Sequence, residues 1–208
     1  DLSKIADALV LNIGTLDSSW VQSMMLAANL ATENHKPIVL DPVGAGASDF
    51  RTEKAFNILD NCKIAAIRGN ASEIMALANK PSLAKGVDSL EKSKAALPSA
   101  IYLSKKYQCT VVISGSIDYC VSDEYIQCVK SGSKVMTSIT GMGCTATALI
   151  GSFLAVNTNT HQACFHAMSA MGICGEIAAS QSQGPGHFIA EFLNALFHFN
   201  HLTRSDAL

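Results

Sequence analysis

The sequence predicts an α/β protein with a mostly parallel central sheet and helices on both faces. Two observations carry that prediction. Short apolar runs of strand length alternate with longer stretches of helical period, and the strand runs end in glycine, proline or polar residues. The composition agrees: 208 residues, 49% hydrophobic and 15% charged, suit one domain over residues 1–208 with a real core.

Ala8–Ile13 has the continuous apolar character of a buried strand and stops at Gly14. Asp17 or Ser18 can cap the next helix, which places Val21, Met24, Met25, Ala28 and Ala31 on one face and Trp20 in the core. Ile38–Leu40 forms a second strand ending at Asp41-Pro42. A loop follows from Asp41 to Arg51, then a helix near Glu53–Leu59 and a third strand over Lys63–Ile67. Arg68, Gly69, Asn70 and Glu73 come next, with a helix over 71–79. A polar connection over 80–90 leads to a helix over 90–107 and a fourth strand, Thr110–Ile113, ending in Ser114-Gly115-Ser116. Tyr119–Ser122 and Tyr125–Val129 read as a hairpin turning at Asp123-Glu124. A helix starting at the Gly141–Cys144 turn and helices over 159–181 and 187–200 complete the chain, that over 159–181 rich in small residues. No internal repeat or interdomain linker interrupts this order.

Charge and cysteine usage exclude several classes of function. A net charge of −2 without any Lys/Arg cluster argues against nucleic acid or an anionic membrane as a partner. Seven scattered cysteines with no Cys-x-x-Cys pair point to reduced thiols and a cytoplasmic protein. His161 and His166 are five positions apart, which misses the spacing of a helical metal pair. No apolar segment reaches 18 residues, so no membrane span is expected.

Thr140-Gly141-Met142-Gly143-Cys144-Thr145 is the stretch richest in implied chemistry. Two glycines permit a tight turn and close backbone approach just before a helix of small residues. The first N–H groups of such a helix lack internal partners and face the positive end of its dipole, which makes an anion site of Gly141, Met142, Gly143 and Cys144. A thiol in that first turn has its thiolate favoured. A plain turn before a buried helix with a packed cysteine fits the same residues. Asp41, then Arg68, Asn70 and Glu73, then Ser114 also fall at strand ends, where ligands of open α/β sheets gather. Asn70 and Glu73 equally fit a helix capping box, and the two roles are compatible. Phosphoryl transfer needs this mixture: N–H groups and a cation around the phosphoryl, carboxylates for a metal, and a group that orients the attacking hydroxyl.

Seven separated segments resemble the hydroxyethylthiazole kinase family of the ribokinase-like superfamily. They are Ala8-Leu-Val-Leu-Asn-Ile-Gly-Thr-Leu16, Leu40-Asp-Pro-Val-Gly-Ala-Gly-Ala47, Phe50-Arg-Thr-Glu53, Ile67-Arg-Gly-Asn-Ala-Ser-Glu-Ile74, Lys85-Gly-Val-Asp88, Ile139-Thr-Gly-Met-Gly-Cys144 and Gly184-Pro-Gly186. They occur in the family's order across essentially the whole chain.

The resemblance implies a ribokinase-like three-layer fold and ATP-dependent, Mg²⁺-assisted phosphorylation of the primary alcohol of 4-methyl-5-(2-hydroxyethyl)thiazole in thiamine salvage. It places Arg68 and Ser114 at ATP, with Ser where the family commonly has Thr. It places Gly141 at the thiazole, and Asp41, Asn70 and Glu73 at phosphates and metal. Cys144 stands where most ribokinase-like enzymes carry an aspartate base, and the expectation is that it orients or deprotonates the alcohol. The resemblance further implies a homotrimer with active sites between subunits. In the family about fifty residues precede the position of Asp1, including part of the thiazole pocket, so the N-terminal part of the family domain is expected to be missing here.

Three other readings compete with it. A related nucleotide-dependent hydro-lyase would carry Asp at Cys144 and lacks this form of the Asp41–Gly46 loop. A thiol hydrolase would need a histidine base, and no histidine sits in a strand-end motif. A non-catalytic sensor of thiazole or nucleotide would bind without turnover.

Overall fold

The computed structural model describes residues 5–78 and 93–199. One six-stranded sheet runs in the order β1-β2-β3-β4-β5-β6. The strands are β1 (Leu9–Asn12), β2 (Ile38–Asp41), β3 (Ala66–Asn70), β4 (Thr110–Ser114), β5 (Asp118–Ser122) and β6 (Tyr125–Val129). The first four pair in parallel, and β5 and β6 form the expected antiparallel hairpin at the edge.

Alternation along each strand sorts the two cores. Leu11, Ile38, Leu40, Ile67, Val111 and Ile113 pack with α1 (Ser18–Glu33), α2 (Asp49–Asn61), α3 (Ala71–Leu77) and α4 (Leu97–Tyr107). Val39, Ala66, Val112 and Cys120 face the other way, onto α5 (Met142–Leu154), α6 (Thr160–Gln181) and α7 (Pro185–Phe197). The predicted fold of a mostly parallel sheet between two helical layers is therefore what the chain adopts. Among the described residues no helix is long and apolar enough to cross a membrane.

Several boundaries move for identifiable reasons. The α2 helix starts at Asp49, not Glu53, because the Ser48 side chain accepts from the Arg51 N–H and caps it four residues earlier. The β3 strand runs from Ala66 to Asn70, since its ladder with β4 continues through Arg68 and Asn70; Arg68 thus lies within the strand. The α7 helix begins at Pro185, which needs no N–H partner in a first turn. Trp20 is a correction. It is 52% exposed, because the buried stripe of α1 runs through Val21, Met24, Ala28 and Ala31 and Trp20 lies off that stripe. The polar connection over 80–90, the Lys85–Asp88 segment, the first residues of the helix expected over 90–107 and the end of that expected over 187–200 lie outside the described residues.

Candidate active site

The same alternation that sorts the cores builds the site. Two residues beyond Val10, Val39, Ala66 and Val112 come Asn12, Asp41, Arg68 and Ser114, so all four strand-end side chains share the face that carries α5. Asn12 pairs in register with Asp41 on β1 and β2, and Asn70 pairs with Ser114 on β3 and β4. Above them starts α5. Gly141 is its N-cap at φ 93°, a left-handed conformation that favours glycine, and the Thr145 N–H closes the first helical turn onto the Gly141 carbonyl. The N–H groups of residues 141–144 precede that first bond and are left for another partner.

Asp41 is fully buried. Its Oδ2 accepts from Thr147 Oγ1 at 2.7 Å and Asn12 Nδ2 at 3.0 Å, with Arg68 Nη1 at 3.8 Å. Burial pushes its carboxyl above the ordinary aspartate value, while the Arg68 charge and the two hydrogen bonds work the other way. Arg68 donates from Nη2 to Ser114 Oγ at 2.6 Å. Two buried atoms of this pair have no hydrogen-bond partner, Asp41 Oδ1 and Arg68 Nε. A buried charge pair with unsatisfied capacity is costly unless a ligand completes it.

Glu73 and Asn70 form the anticipated capping box of α3. Asn70 Oδ1 accepts from the Glu73 N–H at 3.0 Å, and Glu73 Oε2 from the Asn70 N–H at 2.8 Å. Glu73 does more than cap. Its Oε1 accepts from the Gly44 N–H at 2.9 Å and so fastens the loop after β2 to the start of α3. Arg51 fastens the neighbouring loops, donating to the carbonyls of Val43 at 3.1 Å and Gly14 at 3.0 Å.

Cys144 is exposed in the first turn of α5, and its Sγ lies 3.4 Å from Asn12 Nδ2. The sequence-predicted residues Asp41, Arg68, Ser114 and Gly141–Cys144 are thus gathered at one end of the sheet. Asn70 and Glu73 fasten the neighbouring loop. Sequence reasoning missed three participants: Asn12, Thr147 and Asp118. Asn12 occupies on β1 the place that Asp41 holds on β2, a signal available by aligning the ends of the two apolar runs. Thr147 lies one turn after Gly143 on the inward side of α5. Asp118 accepts from the Gly115 N–H at 2.8 Å, and burial raises its carboxyl to about 6 against the opposing charge of Arg68.

Among the described residues no three His, Cys, Asp or Glu side chains gather as a closed metal site. The donor set instead suits a hard cation that arrives with phosphate oxygens and needs one or two carboxylates. Asp41, with its unpartnered Oδ1, and Glu73 are the residues that fit.

Known proteins are similar along most of the chain. The family model described as the hydroxyethylthiazole kinase family matches residues 1–202. A hydroxyethylthiazole kinase of Aliivibrio salmonicida is 45% identical over 208 residues, all of this chain and 78% of the relative. One from Syntrophus aciditrophicus is 46% identical over 203 residues, covering 97% of this chain and 74% of the relative. The solved structure of a hydroxyethylthiazole kinase from Pyrococcus horikoshii superposes with a TM-score of 0.85 at 34% identity, over 95% of this chain and 73% of that one.

Proposed function

The chain belongs to the hydroxyethylthiazole kinase family, and from that membership and the site we infer that it transfers the terminal phosphoryl group of ATP to the primary alcohol of 4-methyl-5-(2-hydroxyethyl)thiazole. The observation that carries the reading is the unsatisfied pair Asp41–Arg68 beneath the free N–H groups of α5.

Arg68 and Ser114 meet the nucleotide phosphates, where the Arg68 guanidinium offers its unpartnered Nε. Asp41 and Glu73 would hold Mg²⁺, which would supply charge neutralisation at the phosphate oxygens. Asn70 supports Glu73 through the capping box. The N–H groups of Gly141, Met142, Gly143 and Cys144 cradle the phosphoryl in flight, and Gly141, with open space over its Cα, borders the thiazole. Cys144 orients the alcohol or takes its proton. Loose phosphoryl transfer asks little of a base, so positioning and the N–H groups supply most of the rate. The working assembly is a homotrimer with sites between subunits, acting in the cytoplasm.

Incubation of the protein carrying these residues with ATP, Mg²⁺ and the thiazole alcohol tests the reading. The expected products are ADP and a phosphate monoester on the hydroxyethyl oxygen, identified by mass spectrometry. ATP turnover indifferent to the alcohol, or binding without turnover by the folded protein, would overturn it. Light scattering at three times the subunit mass checks the trimer.

A further inference from the structure

Asn12 donates a side-chain hydrogen bond to the Cys144 sulfur. Its orientation is not free. Asn12 Oδ1 accepts from the Gly14 N–H at 2.8 Å, so the opposite end of the amide must be the NH₂ group. That group has two hydrogens and two acceptors within reach: Asp41 Oδ2 at 3.0 Å and Cys144 Sγ at 3.4 Å. The sulfur is therefore an acceptor in this contact. Its own hydrogen, or the remaining lone pairs of a thiolate, points away from Asn12 toward the open side where Cys144 is exposed.

We propose that Asn12 is a positioning residue for the acceptor alcohol, acting through Cys144: one amide locks the sulfur against the buried Asp41 and aims its free side at the substrate hydroxyl. The role of Cys144 toward that hydroxyl rests on the kinase reading above; the contact between Asn12 and the sulfur does not. Asp41 is less dependent on Asn12, because Thr147 and Arg68 hold the same carboxylate oxygen. The loss of Asn12 should therefore be felt first at the cysteine. The same contact fixes the sulfur in one place at the exposed start of α5, where small alkylating reagents reach it.

Two readouts test this. In the first, the protein without substrate is treated with iodoacetamide and the labelled peptides are quantified. Asn12→Ala should slow labelling of Cys144 about fivefold and leave Cys128, exposed on the edge strand β6, unchanged as an internal control. In the second, Asn12→Ala should lower kcat at least fivefold with little change in KM for ATP, but less than twofold when Cys144→Ala is already present. If Asn12→Ala fails to fold, Asn12→Asp keeps the oxygen that accepts from Gly14, removes both donors, and should act in the same direction. Unchanged labelling of Cys144, or an equal kcat loss in both backgrounds, overturns the proposal. A wild-type protein that phosphorylates nothing defeats the kinase reading instead, and the labelling ratio then decides the Asn12 contact by itself.

Discussion

Gly143 approaches Arg68 so closely that a Cβ on it would fall 2.6 Å from Arg68 Nη1 and 3.2 Å from Nη2. The start of α5 and the Arg68 guanidinium are thus packed against each other through a missing side chain. Substitution at Gly143 must move one or the other. Misplacing a reacting group by about 1 Å costs about a hundredfold in rate. Gly143→Val is therefore expected to lose about two orders of magnitude in kcat/KM. Cys144→Ala should retain more activity than that. Steady-state kinetics on the two variants check the ranking, and the reverse order would return the cysteine to the centre of the mechanism.

Thr147 and Asp41 make the shortest hydrogen bond to the buried carboxylate, at 2.7 Å. Thr147→Val preserves shape and removes the donor. Hydrogen bonds to charged groups contribute about 1.5–3 kcal/mol, so the variant should lose about 2 kcal/mol. Urea denaturation should show a lower midpoint with an unchanged slope. An unchanged midpoint would mean that Asp41 is held adequately by Asn12 and Arg68.

Glu73 satisfies two backbone N–H groups, one on each oxygen. Glu73→Gln turns an NH₂ group toward one of them, leaving a donor facing a donor at a cost of about 1–3 kcal/mol. The amide hydrogen of Gly44 or of Asn70 should exchange with solvent faster in the variant. Full protection of both would refute the fastening role.

Asp118 gives the site a measurable pH signature. Its folded value of about 6 lies above the ordinary aspartate value near 3.8, because burial disfavours the charge. The folded protein therefore binds this proton at higher pH than the unfolded chain does. The associated stability is fully present below about pH 4 and is lost as pH rises through about 6. Asp118→Asn keeps the oxygen that accepts from Gly115 and abolishes the titration. Relative to wild type, the variant should gain about 2 kcal/mol between pH 4 and pH 7.5. Denaturation curves across that range that run parallel for both proteins would contradict the assignment.

Much of the architecture was legible because the apolar runs are short, regular and bounded by turn residues. The strand at Ile38–Leu40 and the hairpin at Asp123-Glu124 needed only period and punctuation. Trp20 differs from expectation because size and apolarity do not say on which face of a helix a residue falls. The starts of α2 and α7 moved because single residues, Ser48 and Pro185, fix a helix end by local hydrogen bonding that apolar period does not register.

The sequence by itself determined the α/β order, the glycine turn before α5 and the polar residues at the strand ends, all of which follow from local chemistry and chain periodicity. Tertiary structure alone decided which of those polar residues meet. Parallel register sets Asn12 beside Asp41 across 29 positions of chain, and the packing of α5 on β1 and β2 brings Thr147 to the same carboxylate from 106 positions away. Distances of that kind arise from how the layers pack. The unsatisfied atoms of Asp41 and Arg68 exist only once the strands and the helix are in place.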